Sequence, residues 1–240
     1  MNRDLHADPN AKQRLSPAAR DAFRGRLLAE IPAWYSARLH VAVPALFGLA
    51  VIVVAGFLVR DVKPAEWLVV PAAYLVLNAA EWRIHRDLLH RRTWPLHELY
   101  DRHTPQHHMI FLTNDMAVRS RRELRLVLIP AWGIVGAFLA ALPIPLSLWA
   151  LGWPNLGLLA IATAMGYVLS YEWLHLAYHL PATSWIGRQA LVARLRRHHA
   201  VHHAPERMQH WNFNVTVPLW DYVRGTVYRG SLDPPAPDEE

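Results

Sequence analysis

Cysteine is absent from the 240 residues, which excludes disulfide scaffolds, thiolate zinc sites, iron–sulfur clusters and a cysteine-ligated haem. Lysine is nearly absent: of the 25 basic residues only Lys12 and Lys63 are lysines. Charge is scarce too, at 18% of the chain against 53% apolar residues, and this balance excludes a disordered chain and leaves ample material for a core. The length allows one domain, at most with tails. In excess are Trp, with 11 residues, and His, with 15. The net charge of +6 fits either nucleic acid or an anionic membrane surface, so the placement of the charges has to decide.

Residues 39–59 form a run interrupted only by His40 and Pro44, and at 1.5 Å per residue this crosses a hydrocarbon layer of about 30 Å. Three further apolar runs cover 67–82, with Asn78 and Glu81 toward its end, 126–142, ending at Pro143-Ile144-Pro145, and 156–174, after Trp153-Pro154-Asn155. The apolar segment 146–153 extends a neighbour or lies in the interface. Trp34, Tyr35, Trp67, Trp82, Trp149, Trp153 and Trp173 near the ends resemble interfacial belts. The expectation is an all-α integral membrane protein with four transmembrane helices.

Basic residues follow that topology. Segments 1–38, 83–125 and the part after Leu174 hold 23 of them, and the loops between spans one and two and between three and four hold two. The positive-inside rule places both termini in the cytoplasm, with a bacterial inner membrane as the expected location. The charge is accounted for by the anionic leaflet, so no nucleic-acid partner is expected. Residues 1–30 lack the apolar stretch of a signal peptide. Within the N-terminal segment 1–38, Ser16-Pro17 reads as a helix start, and Phe23, Leu27 and Ile31 recur every four residues. An amphipathic helix over 17–31 is expected at the membrane surface. The membrane domain then covers 39–232, and 233–240, rich in proline and acids, is expected to be a disordered tail.

Apart from His6 and His40, every histidine falls after the second or the fourth span, which are exits on the same side. Residues three or four apart share a helix face, and His103/His107, His175/His179 and His199/His202/His203 satisfy that spacing and suit one ion per group. His85 and His90, five apart, diverge by about 140° on an ideal helix. They need a helix end or a local bulge, or they serve different ions. Ten imidazoles gathered on one membrane face resist protonation and leave lone pairs unsatisfied, so they need something to bind. Neutral imidazole suits Fe, Zn, Cu or Ni, and ten ligands fit two ions. A ferritin-like site fails, since only Glu172/His175 matches Glu-x-x-His. A zincin lacks its HExxH. A bis-His haem protein would place single histidines inside the spans, and a transporter would want ionisable residues at mid-membrane.

The ordered motifs HRDLLH, HTPQHH, HLAYH and HHAVHH, followed by WNFNVTVPLWDYVRGT, resemble the fatty acid hydroxylase / sterol desaturase superfamily of integral membrane di-iron oxygenases, over about residues 40–230. The resemblance implies a four-helix membrane domain capped by cytoplasmic helices that carry a His-rich dimetal site. Its ligands would be His85, His90, His103, His107, His108, His175, His179, His199, His202 and His203. The second motif departs from the family's HxxHH by one extra residue, which sets His97 against His103 for that place. Asn214 stands where the family tends to have Gly.

His97, His198 and His210 are read as outer or surface groups. Asp87, Asp101, Glu172 and Asp221 either orient ligand imidazoles or pair with Arg86, Arg102 or Arg224. Trp220-Asp221 and Gly225-Thr226 are read as a turn closing the metal cap. The implied activity is O2-dependent hydroxylation or desaturation of a lipid, such as a fatty acyl chain or sterol, at two Fe ions, with zinc as a substitute in purified protein. No fused haem domain or GxGxxG fingerprint is present, so electrons would come from a separate ferredoxin, cytochrome or reductase. The competing readings are a membrane metal transporter and a dizinc membrane hydrolase.

Overall fold

A computed structural model describes residues 15–230. The predicted N-terminal residues before this range and the predicted tail 233–240 lie outside it. Among the described residues the chain is helical, with no strand. The helices are α1 (Pro17–Glu30), α2 (Ala37–Leu58), α3 (Val69–Ile84), α4 (His97–Arg102), α5 (His108–Ile110), α6 (Leu124–Val127), α7 (Ala131–Ala141), α8 (Pro143–Ala150), α9 (Pro154–Tyr178), α10 (Ala190–His202) and α11 (Leu219–Arg224).

Helix α9 is the axis, packing against α2, α3, α7, α8 and α10. Asn155 at its start fixes the relative directions. Its amide donates to the Arg60 carbonyl at 2.7 Å and to Glu66, and its carbonyl accepts from Arg60 N–H. The end of α2 and the start of α3 therefore meet the start of α9, so α2 runs antiparallel to α9 and α3 parallel. All the clustered histidines collect at the opposite end.

Among the described residues three stretches are long and apolar enough to cross a membrane: Ala37–Leu58, Arg121–Ala150 and Pro154–Tyr178. Much of their apolar surface faces outward, with Leu46, Phe57, Leu139 and Leu146 all exposed. In water this would be a large unpaired patch, whereas in lipid it is the expected exterior. These helices make the chain a membrane protein. Helix α3, at 16 residues, falls short by the same measure.

Two expectations change. The third apolar run does not stop at Pro143-Ile144-Pro145, because α8 continues from α7 with only Leu142 between them. Proline is tolerated in the first turn of a helix, where its missing N–H is not needed. The run begins instead after Pro130, since Leu128 is extended. The apolar edge of α1 also does not lie on lipid. Leu27 packs with Ile110, Phe111 and Val127, with Phe23 beside them. Buried Arg24 donates to Glu123 at 3.1 Å and to the Ile110 carbonyl at 2.7 Å. Ser16 caps the helix by accepting from Ala19 N–H, as its sequence predicts.

Small residues set the close approaches. A Cβ on Gly157 would lie 2.7 Å from the Pro145 carbonyl oxygen, whereas one on Gly48 would meet only the Leu169 side chain. Backbone yields less readily than a side chain. Gly157→Ala is therefore expected to cost about 1–3 kcal/mol, and Gly48→Ala less, read as thermal midpoints in detergent. Equal midpoints for both variants and the native chain would contradict this packing. An apolar groove of about 360 Å³, lined by Phe47, Val51, Phe138, Leu142, Leu146 and Ile161, opens toward the end of the bundle remote from the histidines.

Candidate metal centre

Ten histidines form two groups of five: His85, His90, His103, His108 and His202, and His107, His175, His179, His199 and His203. Within each group one nitrogen per residue lies within 4.8 Å of all the others. All ten side chains are buried, His103 the least at 9% exposure. His97 is half-buried and joins neither group, so the structure brings His103 into the site and leaves His97 outside. His198 and His210 also stay out.

Two wide turns make this possible. Residues His85–Leu89 and His103–His107 are single π-helical turns, a feature that inserts one residue into a helix and recurs at functional sites. The first brings residues five apart together, and the His85 and His90 rings stack 5.1 Å apart. This resolves their spacing as a local bulge within one group. In the second, His108 N–H bonds to the His103 carbonyl, and the two Nε2 atoms lie 3.0 Å apart. The extra residue of HTPQHH is absorbed there.

The expectation that His103 and His107 serve one ion is overturned, since the widened turn sends His107 to the second group. His202 likewise separates from His199 and His203. Ordinary i, i+4 geometry keeps His175 with His179 and His199 with His203. The groups abut, with the His108 and His203 rings 4.3 Å apart.

Backbone carbonyls hold the outward nitrogens. Nδ1 of His107 bonds to Leu126 O at 2.9 Å, of His179 to Met116 O at 2.7 Å, of His202 to Trp211 O at 2.9 Å and of His203 to Phe111 O at 2.6 Å. His85 bonds to Phe213 O in the same way. The Thr104 hydroxyl gives its proton to Leu89 O and thus accepts from His90 Nδ1. A carbonyl only accepts, so each of these Nδ1 atoms carries the proton and each Nε2 turns a bare lone pair inward.

The consequence is sharp at His90 and His202. Their Nε2 atoms lie 2.9 Å apart, and neither has a proton to offer the other. In the second group, Nε2 of His107, His175 and His179 is buried without any partner. Burial also pushes the imidazoles toward neutrality: His85 and His107 fall to about 4, and His90, His103, His108, His179, His199, His202 and His203 go well below their usual value. Buried lone pairs converging without protons are what a cation satisfies.

Of the two roles open to the carboxylates, ion pairing holds for Asp87 and Asp101, with Arg86 among the foreseen partners. Asp87 pairs with Arg83, Arg86 and Arg91, and Asp101 with Arg92 rather than Arg102. Glu172 accepts from Ile129 N–H. Asp221, fully buried, accepts from Phe213 N–H, Asn214 N–H, the Thr226 hydroxyl and His198 Nε2. It makes no hydrogen bond to His85 itself and reaches it through the Phe213 backbone, whose N–H it receives and whose carbonyl holds His85 Nδ1. Trp220 and Asp221 lie in helix α11 rather than in a turn, and the turn falls at its end, with Gly225 in the left-handed region at φ 66° and Thr226 N–H returning to Asp221 O. Asn214 uses its side chain, donating to Asn78 O and accepting from Asp221 N–H.

The sequence reading missed the clamp beneath. Buried Glu81 accepts from Val215 N–H, Thr216 N–H, the Thr216 hydroxyl and the Tyr167 hydroxyl. Asn78 donates to Val217 O and accepts from Trp220 N–H. Together they seat residues 212–220 on α3 and α9. The one signal available was two polar residues in an otherwise apolar run.

Comparison with curated proteins and with solved structures found no match. Comparison with protein families matches residues 70–226, well over half of the chain, to the fatty acid hydroxylase family. The match takes in all ten clustered histidines and the clamp that seats them, and an oxidoreductase acting on lipid by hydroxylation or desaturation fits both the family and the site. The chain belongs to the fatty acid hydroxylase family.

Proposed function

We propose that this protein is an O2-dependent lipid hydroxylase whose ten clustered histidines hold two irons, five to each. The observation that carries the reading is the convergence of unprotonated, partnerless nitrogens in two buried groups at the end of an apolar bundle. In this reading α3 is a fourth span, the histidine end is cytoplasmic, and both termini lie on that side. Residues 1–38 form the N-terminal segment and 39–232 the hydroxylase domain.

When bound, the metals would supply the reductive activation of O2 that attack on an unactivated C–H bond requires. The chain's own residues do the rest. The carbonyls of Phe213, Leu126, Met116, Trp211 and Phe111 fix the tautomers, so the donor set is built before any metal arrives. Phe111 and Phe213, nearly inaccessible to solvent, lie against the two groups with apolar surface and keep water out. A substrate tail lies in the bilayer beside the outward apolar faces, so only its reacting carbon needs to reach the histidine end. Electrons come from a separate donor protein.

The test is reductant-dependent O2 uptake by detergent-purified protein loaded with iron or with zinc, with and without added lipid extract. Lipid-stimulated uptake by the iron form alone is the expected result. Metal-loaded protein without any O2 reaction would turn the reading toward a dizinc hydrolase.

A further inference from the structure

Several arginines at the histidine end sit beside a carboxylate. Arg83, Arg86 and Arg91 surround Asp87, Arg92 meets Asp101, Arg102 meets Glu98, and Arg119 bridges Asp21 and Asp115. One stretch has no carboxylate of its own. Residues 173–205 contain no Asp or Glu but carry Arg188, Arg194, Arg196 and Arg197. Arg196 turns inward to the carbonyls of Ala177 and Leu180 at the end of α9. Arg188, Arg194 and Arg197 are exposed and form no ion pair among the described residues. Beside them Trp185 is 74% and Leu191 64% exposed.

Helix α10 has two unlike faces. Val192, Leu195, His199 and His202 are buried, with His203 at its cap, while Leu191, Arg194 and Arg197 point outward at intervals of three. A helix with its side chains is about 10–12 Å across. A protein seated on the outer stripe would thus come within about one helix diameter of three of the clustered histidines.

We infer that the outer stripe of α10, with the loop before it, is the docking surface for an acidic one-electron carrier protein that reduces the metal centre. The inference rests on the oxygenase reading above. Hydroxylation, RH + O2 + 2 e⁻ + 2 H⁺ → ROH + H2O, draws two electrons from outside the chain, and two reduced carriers each supply one. An acid-free arginine stripe steers an acidic partner and fixes its orientation. Trp185 and Leu191 supply the apolar anchor, and Trp and Arg are the residue types that dominate protein–protein contacts. A bilayer is the competing occupant, but the chain shows its lipid-like edge elsewhere. Helix α11 exposes Leu219, Tyr222 and Val223 and packs against α3, which exposes Leu75, Val76 and Ile84. That edge is apolar, whereas the α10 stripe carries its charge at successive turns.

The test compares the native chain with R188E/R194E/R197E in nanodiscs of neutral phosphatidylcholine. Binding of a plant-type ferredoxin, as the acidic one-electron probe, is measured by surface plasmon resonance at low and high salt. Metal content is measured beside it, together with O2 uptake by protein that has been reduced with dithionite and freed of the excess before O2 is added. The expected result is binding at least about tenfold weaker in the triple variant and similarly weakened by salt in the native chain. Metal content and O2 uptake by the pre-reduced protein stay unchanged. Trp185→Ala is expected to weaken binding without altering its salt dependence. Equal ferredoxin binding by native and triple-variant protein, with uptake intact, overturns the docking surface alone. A difference that arises only when the discs contain anionic lipid assigns the stripe to the membrane and overturns it as well. A native chain with no reductant-driven O2 uptake overturns the oxygenase reading and the carrier's role with it.

Discussion

His202→Ala is expected to lose one metal and keep the other, and so is His203→Ala, but the two neighbours lose different metals. They are consecutive in the chain yet belong to different groups, His202 facing His90 and His203 facing His199. Each single variant should fall from about two metals per chain to about one, and the double variant to nearly none. Under the proposed oxygenase function, in which both groups would serve one O2, lipid oxidation should drop at least about 100-fold in every case. His97→Ala should retain both metals and His103→Ala should not. Metal analysis of the five purified variants checks these outcomes. Loss of metal in the His97 variant, with the His103 variant intact, would contradict the grouping.

The second large effect is expected at Asp221, which touches none of the ten histidines. Its carboxylate receives the Phe213 and Asn214 amides, the Thr226 hydroxyl and His198 Nε2. Asp221→Ala strands several buried donors at once, at an expected cost of about 3–5 kcal/mol. Because the Phe213 carbonyl sets the His85 tautomer, metal affinity of the first group should fall about 10–100-fold while the second group is spared. A chelator titration read metal by metal distinguishes this from general unfolding, which would release both together. Asp221→Asn keeps one acceptor oxygen and should lie between the native chain and the alanine variant. Equal weakening of both groups would contradict the path through Phe213.

What the sequence made legible follows from the physics of each feature. Apolar runs announce membrane helices because lipid leaves the backbone no partner but itself, and three of the four runs have the length to cross. Histidine motifs are legible because only polar side chains placed at fixed spacing could come together on one helix face. Their division into two groups was not. It depends on two π turns that change the spacing at His85–Leu89 and His103–His107; the five-residue gap and the extra residue of HTPQHH marked both places, but not which group each histidine would join. The carbonyls that orient the imidazoles were invisible for a different reason, since every residue has one and only the fold aims it. Glu81 and Asn78 were seen as polar breaks in a span, and their clamp on residues 212–220 required the tertiary contact. The end of the third run was misread because proline marks both the stop of one helix and the first turn of the next.

The central claim is that this site oxidises a lipid with O2, and isotopic labelling tests it most directly. Iron-loaded protein would be supplied with reductant, ¹⁸O2 and a lipid extract, and the extract compared by mass spectrometry with one incubated with the His202→Ala/His203→Ala double variant. The account predicts a lipid product that carries one ¹⁸O atom, or for desaturation one that has lost two hydrogens, formed by the native chain alone. Native protein with both metals bound that leaves every lipid unoxidised, or that introduces oxygen from water instead, would contradict it.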